Sequence, residues 1–278
     1  MRRTSDHAGF TLIEMIVVIA ITAIVGSMVV MFLRAPLESY VAQDRRARLA
    51  DAADTALRRM GRDIRLALPN SVRVQPVVVG TVTVFYLEFL GTRSGGRYRA
   101  QGDGSLGNDN LDFTNPAGDS SFDVLGPAID VEAGDRIAVY NLGILGADAW
   151  AVGTPGDTLA AYTGPTGSVS NIAIASKKFP LASPGNRFQV VDGPVSYVCD
   201  PGNGTLTRYW GYAIAAVQPT AFAAATPQAL LATGVSACSF DYQPGVTERG
   251  GLVSVTLYLS QAGETVRLYA TTQVSNQP

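Results

Sequence analysis

Glu14 is the first residue to consider, because it is a carboxylate at the mouth of nineteen uncharged residues, Met15 to Leu33. A charge in hydrocarbon costs up to roughly 2.5–3.5 kcal/mol on insertion scales, most at the helix centre. Such a residue either reaches back to the lipid headgroups or waits for a partner of opposite charge. The single histidine, His7, lies within the first nine residues. No imidazole follows it, so Ser-His-Asp or Cys-His catalysis and histidine-rich zinc sites have no basis in the rest of the chain. No cofactor, metal or catalytic residue is expected. The two cysteines, Cys199 and Cys238, are either two buried thiols or a disulfide. Beyond a membrane, in an oxidising compartment, the disulfide is the favoured reading.

Three other stretches invite a chemical reading, each against a plainer one. Residues 102–113 (GDGSLGNDNLDF) hold Asp103, Asn108, Asp109 and Asp112, yet the spacing departs from the twelve-residue calcium loop with its terminal Glu. A polar turn is the reading adopted. Tyr209, Trp210 and Tyr212 could form a sugar-binding platform, but aromatic residues at strand spacing usually pack. Eight arginines between Arg34 and Arg65 are interleaved with five acids. That pattern fits a solvated, charge-balanced helix face better than a nucleic-acid surface. Residues 69–278 carry eleven basic and sixteen acidic residues, so no nucleic acid is expected as a partner.

The elements that position these residues begin with the apolar run. At about 1.5 Å per residue it spans roughly 28 Å as a helix, close to the hydrocarbon core of a bilayer. Arg2 and Arg3 precede it, and basic flanks stay on the cytoplasmic side, so the chain after Arg34 should lie across the membrane. Pro36 predicts a kink or loosened turn. Helical spacing then resumes at Val41, Leu49, Ala53, Leu57, Met60, Ile64 and Leu68, and Pro69-Asn70 is the predicted stop.

From Val72 onward the period changes to two. Strands are expected over 82–89, 97–99, 135–141, 186–192, 195–199, 205–213 and 236–242, with a turn at 91–96 and a final hairpin of 253–259 with 266–270. Residues 142–185 read as long surface excursions and 215–228 as a bare connection. The expected fold class is α+β, a long N-terminal helix packed on a head rich in antiparallel β-sheet. The expected divisions are 1–9, the membrane half of the helix at 10–35, its amphipathic half at 36–68, and a globular head at 69–278.

The string Gly9-Phe10-Thr11-Leu12-Ile13-Glu14 resembles the processing site of type IV prepilins and pseudopilins. In an ordinary secretory signal the apolar run precedes the cut and is lost. Here the Gly-Phe junction comes first. The resemblance implies that prepilin peptidase cuts between Gly9 and Phe10 and methylates the new amine of Phe10. It implies that Glu14 serves assembly: a free α-amine is largely protonated at neutral pH, and a neighbour's Phe10 amine could neutralise this acid. It also agrees with a Cys199–Cys238 staple.

Longer strings, 51–74, 179–200, 204–212 and the tail from Leu230, resemble minor pilins of the mannose-sensitive haemagglutinin (MSHA) pilus. That implies a subunit that helps initiate or cap a type IV pilus for surface attachment. Its partners would be prepilin peptidase, other major and minor pilins through the helix, the assembly ATPase and platform complex, and the inner membrane. It would be a single-pass inner-membrane protein with a periplasmic head, and part of the pilus after assembly. A type II secretion pseudopilin shares every one of these physical features. A membrane-anchored adhesin or carbohydrate-binding module shares the anchor, but a plain anchor has no use for Glu14. A tethered enzyme is disfavoured by the missing histidine.

Overall fold

The computed structural model describes residues 9–103, 105, 107–245 and 250–278. The proposed leader, with Arg2, Arg3 and His7, therefore lies outside the described residues apart from Gly9. In chain order the elements are α1 (Leu12–Arg65), β1 (Arg73–Val79), β2 (Val82–Tyr98), β3 (Asp119–Leu125), β4 (Ile129–Val131), β5 (Arg136–Val139), β6 (Leu159–Ala161), β7 (Gly167–Val169), β8 (Asn171–Lys177), β9 (Arg187–Asp200), β10 (Thr205–Trp210), β11 (Gln228–Thr233), β12 (Val235–Gln243), β13 (Gly251–Gln261) and β14 (Glu264–Val274). The fold is α+β, one long N-terminal helix and a head rich in antiparallel sheet. The chain divides into two compact units, residues 1–48 and 49–278.

In the first unit α1 begins after Thr11 and runs through Pro36 unbroken. Proline has no N–H, so the carbonyl of Phe32, four residues earlier, loses its usual donor there. The hydroxyls inside the apolar run are satisfied locally. Thr22 Oγ1 donates to the Val18 carbonyl at 2.7 Å and Ser27 Oγ to the Ile24 carbonyl at 2.7 Å. Hydroxyls bonded within the helix are compatible with a medium that offers no water.

In the second unit the helix supplies the core. Leu49, Ala53, Ala56, Leu57, Met60 and Ile64 are each at most 7% exposed. They pack with Leu87 and Phe89 of β2, Val195 and Tyr197 of β9, Leu206 of β10, and the inward residues of β12 and β13. Helical spacing predicts this stripe, but the helix stops at Arg65, three residues short of the Leu68 end expected from the sequence. Leu68 donates its N–H to the Leu90 carbonyl at 2.7 Å, and the Leu66 carbonyl accepts from Thr92 N–H at 2.8 Å. Pairing with β2 thus replaces the last helical turn.

The main sheet runs β11-β10-β9-β2-β3-β8, with β1 added to β2, and β5 and β6 added beside β9. All of these pairings are antiparallel. Residues 91–96 are not the expected turn. β2 continues through them to Tyr98, and β9 runs alongside from Arg187 to Cys199, with register shifts around Thr92. Its glycines serve a close approach instead. A Cβ on Gly95 would stand 2.9 Å from the Phe188 carbonyl, and one on Gly96 3.1 Å from the Phe188 ring. The long ladder joins the helix-side core to a second core around Tyr98, Phe122, Ile137, Ile172 and Phe188. The expected surface excursion at 142–185 is also corrected. It contains β6, β7 and β8, and Ala149, Leu159, Ile172 and Phe179 are at most 2% exposed. Small residues without period fill space between larger ones, which periodicity does not reveal.

The stretch 215–228 is a connection, mostly exposed, and is held to the head as a strap by a few contacts. Arg73 and Glu88 are direct cross-strand partners, and Arg73 Nε donates to Glu88 Oε2 at 2.7 Å. The same guanidinium donates to the carbonyls of Ala216 at 2.7 Å and Ala215 at 2.9 Å and lies 3.6 Å over the Trp150 ring. Tyr212 donates to Glu88 Oε1 at 2.8 Å. Gln218 Nε2 donates to the Tyr86 carbonyl at 3.2 Å, and Phe222 stacks on Tyr209 at 4.2 Å. Burial pushes the Glu88 carboxyl above its ordinary range, and Arg73 and Tyr212 only partly offset this.

Cys199, on β9, is bonded to Cys238, on β12, across a Cα–Cα distance of 6.5 Å. It ties the main sheet to the second sheet, β12-β13-β14. With a separation of 39 residues the loop-entropy model gives about 4 kcal/mol of stabilisation. Urea unfolding with and without reductant should show that loss as a lower midpoint, and equal midpoints would contradict it. Arg73→Met leaves the fully buried Glu88 carboxylate without its cation and should cost about 3–5 kcal/mol in the same assay. Because the folded carboxyl binds its proton more tightly than the unfolded one, Glu88 adds stability at acid pH. That stability is lost as pH rises from about the ordinary 4.5 through the raised folded value. Glu88→Gln should flatten this part of the stability–pH curve, and an unchanged curve would reject the assignment.

Candidate functional site

Gly9 and Phe10 precede the helix, and both are exposed. A Cβ built on Gly9 meets nothing within 4 Å, and its φ is not in the left-handed region. Nothing in the local fold therefore requires glycine there. Phe10 is 79% exposed, so this aromatic is not used in packing within its own chain.

Thr11 is the N-cap of α1. Its Oγ1 accepts from Glu14 N–H at 3.3 Å, and its carbonyl accepts from Glu14 N–H at 3.1 Å and Met15 N–H at 3.2 Å. Glu14 therefore stands in the first turn, where the helix dipole favours an anion. This capping relation is absent from the residue-by-residue reading above, although its signal is plain in Thr11-Leu12-Ile13-Glu14, the spacing of a capping box. Glu14 thus has a local reason to be acidic at that position, beside any intermolecular one. Behind it, α1 is the one helix among the described residues long and apolar enough to cross a membrane, and its apolar stretch is not buried within the chain.

The candidate sites in the head are occupied by contacts within the chain. Tyr209 stacks on Phe222, Tyr212 meets the same ring edge-on at 5.3 Å, and Arg208 lies 4.8 Å over Trp210. These three aromatics are packed against their own chain. In the 102–113 loop Asp103 accepts from Ser105 and Asp112 from Thr114, through both backbone and hydroxyl, and these hydrogen bonds hold both carboxyls below their ordinary range. Asp109 accepts from Ser121 Oγ at 2.6 Å. Burial pushes Asp123 up, but hydrogen bonds from Asn171 and the Asp109 amide, together with Arg99, leave it lowered. Among the described residues no group of three or more His, Cys, Asp or Glu side chains is placed to hold a metal ion.

The charged helix face splits in two. Arg48 pairs with Asp44, Arg58 with Asp54 and Arg59 with Asp63, each four residues apart. Asp63 also fastens the helix to the sheet. It accepts from Tyr197 Oη and from Arg208 Nε, both at 2.7 Å. Burial, with the carboxylate beside it, pushes the Tyr197 hydroxyl far up, so it stays a donor.

One family model matches the chain. The prokaryotic N-terminal methylation motif covers residues 4–30, which takes in Gly9, Phe10, Thr11 and Glu14 and leaves the head uncovered. No curated protein and no solved structure matches the chain. Proteins that carry this motif are structural subunits rather than enzymes, and the motif implies processing by prepilin peptidase, partners of the pilin type and anchoring in a membrane. With the apolar helix and the antiparallel head, the match supports a type IV pilin-like protein.

Proposed function

We propose that this chain is a minor pilin of a type IV pilus of the MSHA kind, a structural subunit that helps initiate or cap the filament used in surface attachment. The resemblance of its longer strings to the MSHA minor pilin MshO supports this finer reading. Prepilin peptidase cuts between Gly9 and Phe10 and methylates the Phe10 amine. The single-pass protein waits in the inner membrane with its head in the periplasm. The assembly ATPase and platform complex then move it into a filament with other major and minor pilins. Glu14 meets the Phe10 amine of a neighbouring subunit, which neutralises an acid in low dielectric and favours one axial register.

The observation that carries the reading is Gly9. It is a glycine that its own fold does not need, placed immediately before a capped apolar helix and inside the methylation motif. A residue with no local duty fits recognition by another protein, here the peptidase. A type II secretion pseudopilin uses the same signal and remains the second reading; recovery of the protein in sheared surface pili rather than with secretion machinery separates the two. An anchored adhesin, the third, would leave Glu14 only its favourable place in the first helical turn.

Mass spectrometry of protein from cells with a working peptidase should find a chain that begins at methylated Phe10. Gly9→Val should leave an unprocessed precursor, and a chain of wild-type size would refute the cut site. Glu14→Gln keeps the size and polarity of the side chain but removes the charge. It should be processed normally yet enter pili at a small fraction of the wild-type level. Normal incorporation of Glu14→Gln would remove the charge-pairing role.

A further inference from the structure

β14 is the outer strand of the β12-β13-β14 sheet. It pairs with β13 along its whole length, from Gln261↔Glu264 to Gly251↔Val274. Among the described residues no backbone hydrogen bond leaves its other edge over Leu268–Thr272. Beside that edge lies a groove of about 410 Å³ between residues 54–65 of α1 and Leu268–Thr272. Successive side chains of a strand point to opposite faces. Five consecutive residues can line one groove only if the groove follows the strand's edge, where the unpaired N–H and C=O groups lie. The inward residues Val253, Val255, Leu257 and Leu259 of β13 are at most 4% exposed. Val266, Leu268 and Ala270, on the same face of β14, are only half-buried. The core is closed under β13 and open at the edge. At the Thr272 end the helix closes in, and a Cβ on Gly61 would stand 3.1 Å from Thr272 Oγ1.

The helix wall is cationic. Arg58, Arg62 and Arg65 line the groove, and the one carboxylate among its lining residues is Asp54, already paired with Arg58 at 2.6 Å. Arg62 and Arg65 are exposed and make no ion pair among the described residues. The two walls match in length: five residues of strand cover roughly 17 Å and the helix from Asp54 to Arg65 roughly 18 Å.

We propose that this groove takes an extended acidic segment of a partner protein, added as a fourth strand on the free edge of β14. The backbone edge supplies a ladder of hydrogen bonds, as in strand addition generally. Every second side chain of the incoming segment faces α1, where carboxylates meet Arg62 and Arg65; the alternate side chains lie beside exposed Tyr269. Unpaired strand edges are usually blunted by charge or cover, and here the charge sits on the facing helix, so it selects a partner rather than repelling all of them. A nucleic acid could answer the arginines but has no use for the backbone edge. The inference is independent of the pilin reading, since the groove would serve an anchored head of any kind.

The test uses the full chain in detergent micelles and a fluorescent ten-residue peptide that alternates valine and aspartate. The peptide should bind, and the exchange of amide hydrogens in Leu268–Thr272 should slow. Binding should weaken about tenfold for the Arg62→Glu, Arg65→Glu double variant, whose two sites are exposed and make no ion pairs. A peptide with lysine for aspartate should not bind. Nor should one N-methylated at alternate residues, which keeps its charge but cannot form the ladder. Equal binding of the N-methylated peptide, or equal binding to the double variant, would overturn the proposal. So would binding of oligothymidylate where the acidic peptide fails. Dimers of the wild-type chain that protect Leu268–Thr272 and dissolve in the double variant would give the edge to a second copy instead.

Discussion

One helix has to satisfy two different surroundings, and the rest of the molecule follows from that constraint. From Leu12 to Leu33 its apolar side chains have no partner in their own chain. From Leu49 to Ile64 a stripe of the same helix is the core of the head. Burial of that stripe is worth about 1.5–3 kcal/mol for each large side chain, far more than helix propensity contributes. The head cannot be assembled without the helix. The apolar half is exposed and has the length and composition to cross a membrane.

Polar anchors decide where the head grips. Asp63, an acid of the helix, reaches the sheet and meets two donors there, the guanidinium of Arg208 and the phenol of Tyr197. A misplaced helix would bury Tyr197 Oη without an acceptor, which costs more than a lost surface pair. The Arg73–Glu88 pair has the corresponding role on the far side of β2. Its charges are removed from water and compensated by Tyr212 and by two carbonyls of the 215–228 strap. Each network joins separate elements of the head, the helix to the sheet in one case and β1 and β2 to the strap in the other.

The disulfide and the β2–β9 ladder explain how a head with three hydrophobic centres behaves as a unit. The ladder carries one pair of strands from the helix-side core into the second core around Phe122 and Phe188. The disulfide fastens the smaller sheet to that ladder. Among the described residues, the exposed N-terminal segment with the apolar helix behind it and the edge of β14 are two open places. Both are places where another chain can add what this one lacks.

The amino-acid sequence alone determined the features that repeat or run unbroken. The 3.6-residue stripe from Leu49 to Ile64 and the alternation of Val253 to Leu259 are periodic signals, and each lies where its period puts it; the uncharged run after Glu14 is continuous, and it is helical. The capping role of Thr11 was also written in its spacing to Glu14. Only the tertiary structure decided what has no period. It made Gly95 and Gly96 a close crossing of β9 rather than a turn, because the need comes from Phe188, ninety residues away. It turned the Ala- and Pro-rich strap into ligands for Arg73, because backbone carbonyls are the same in every residue type and leave no mark in the letters. It drew Ala147, Ala149, Leu159 and Ala160 into the core, where small side chains fill gaps shaped by distant neighbours. And it brought Leu268–Thr272 beside Arg58, Arg62 and Arg65, two stretches about two hundred residues apart whose meeting no local pattern records.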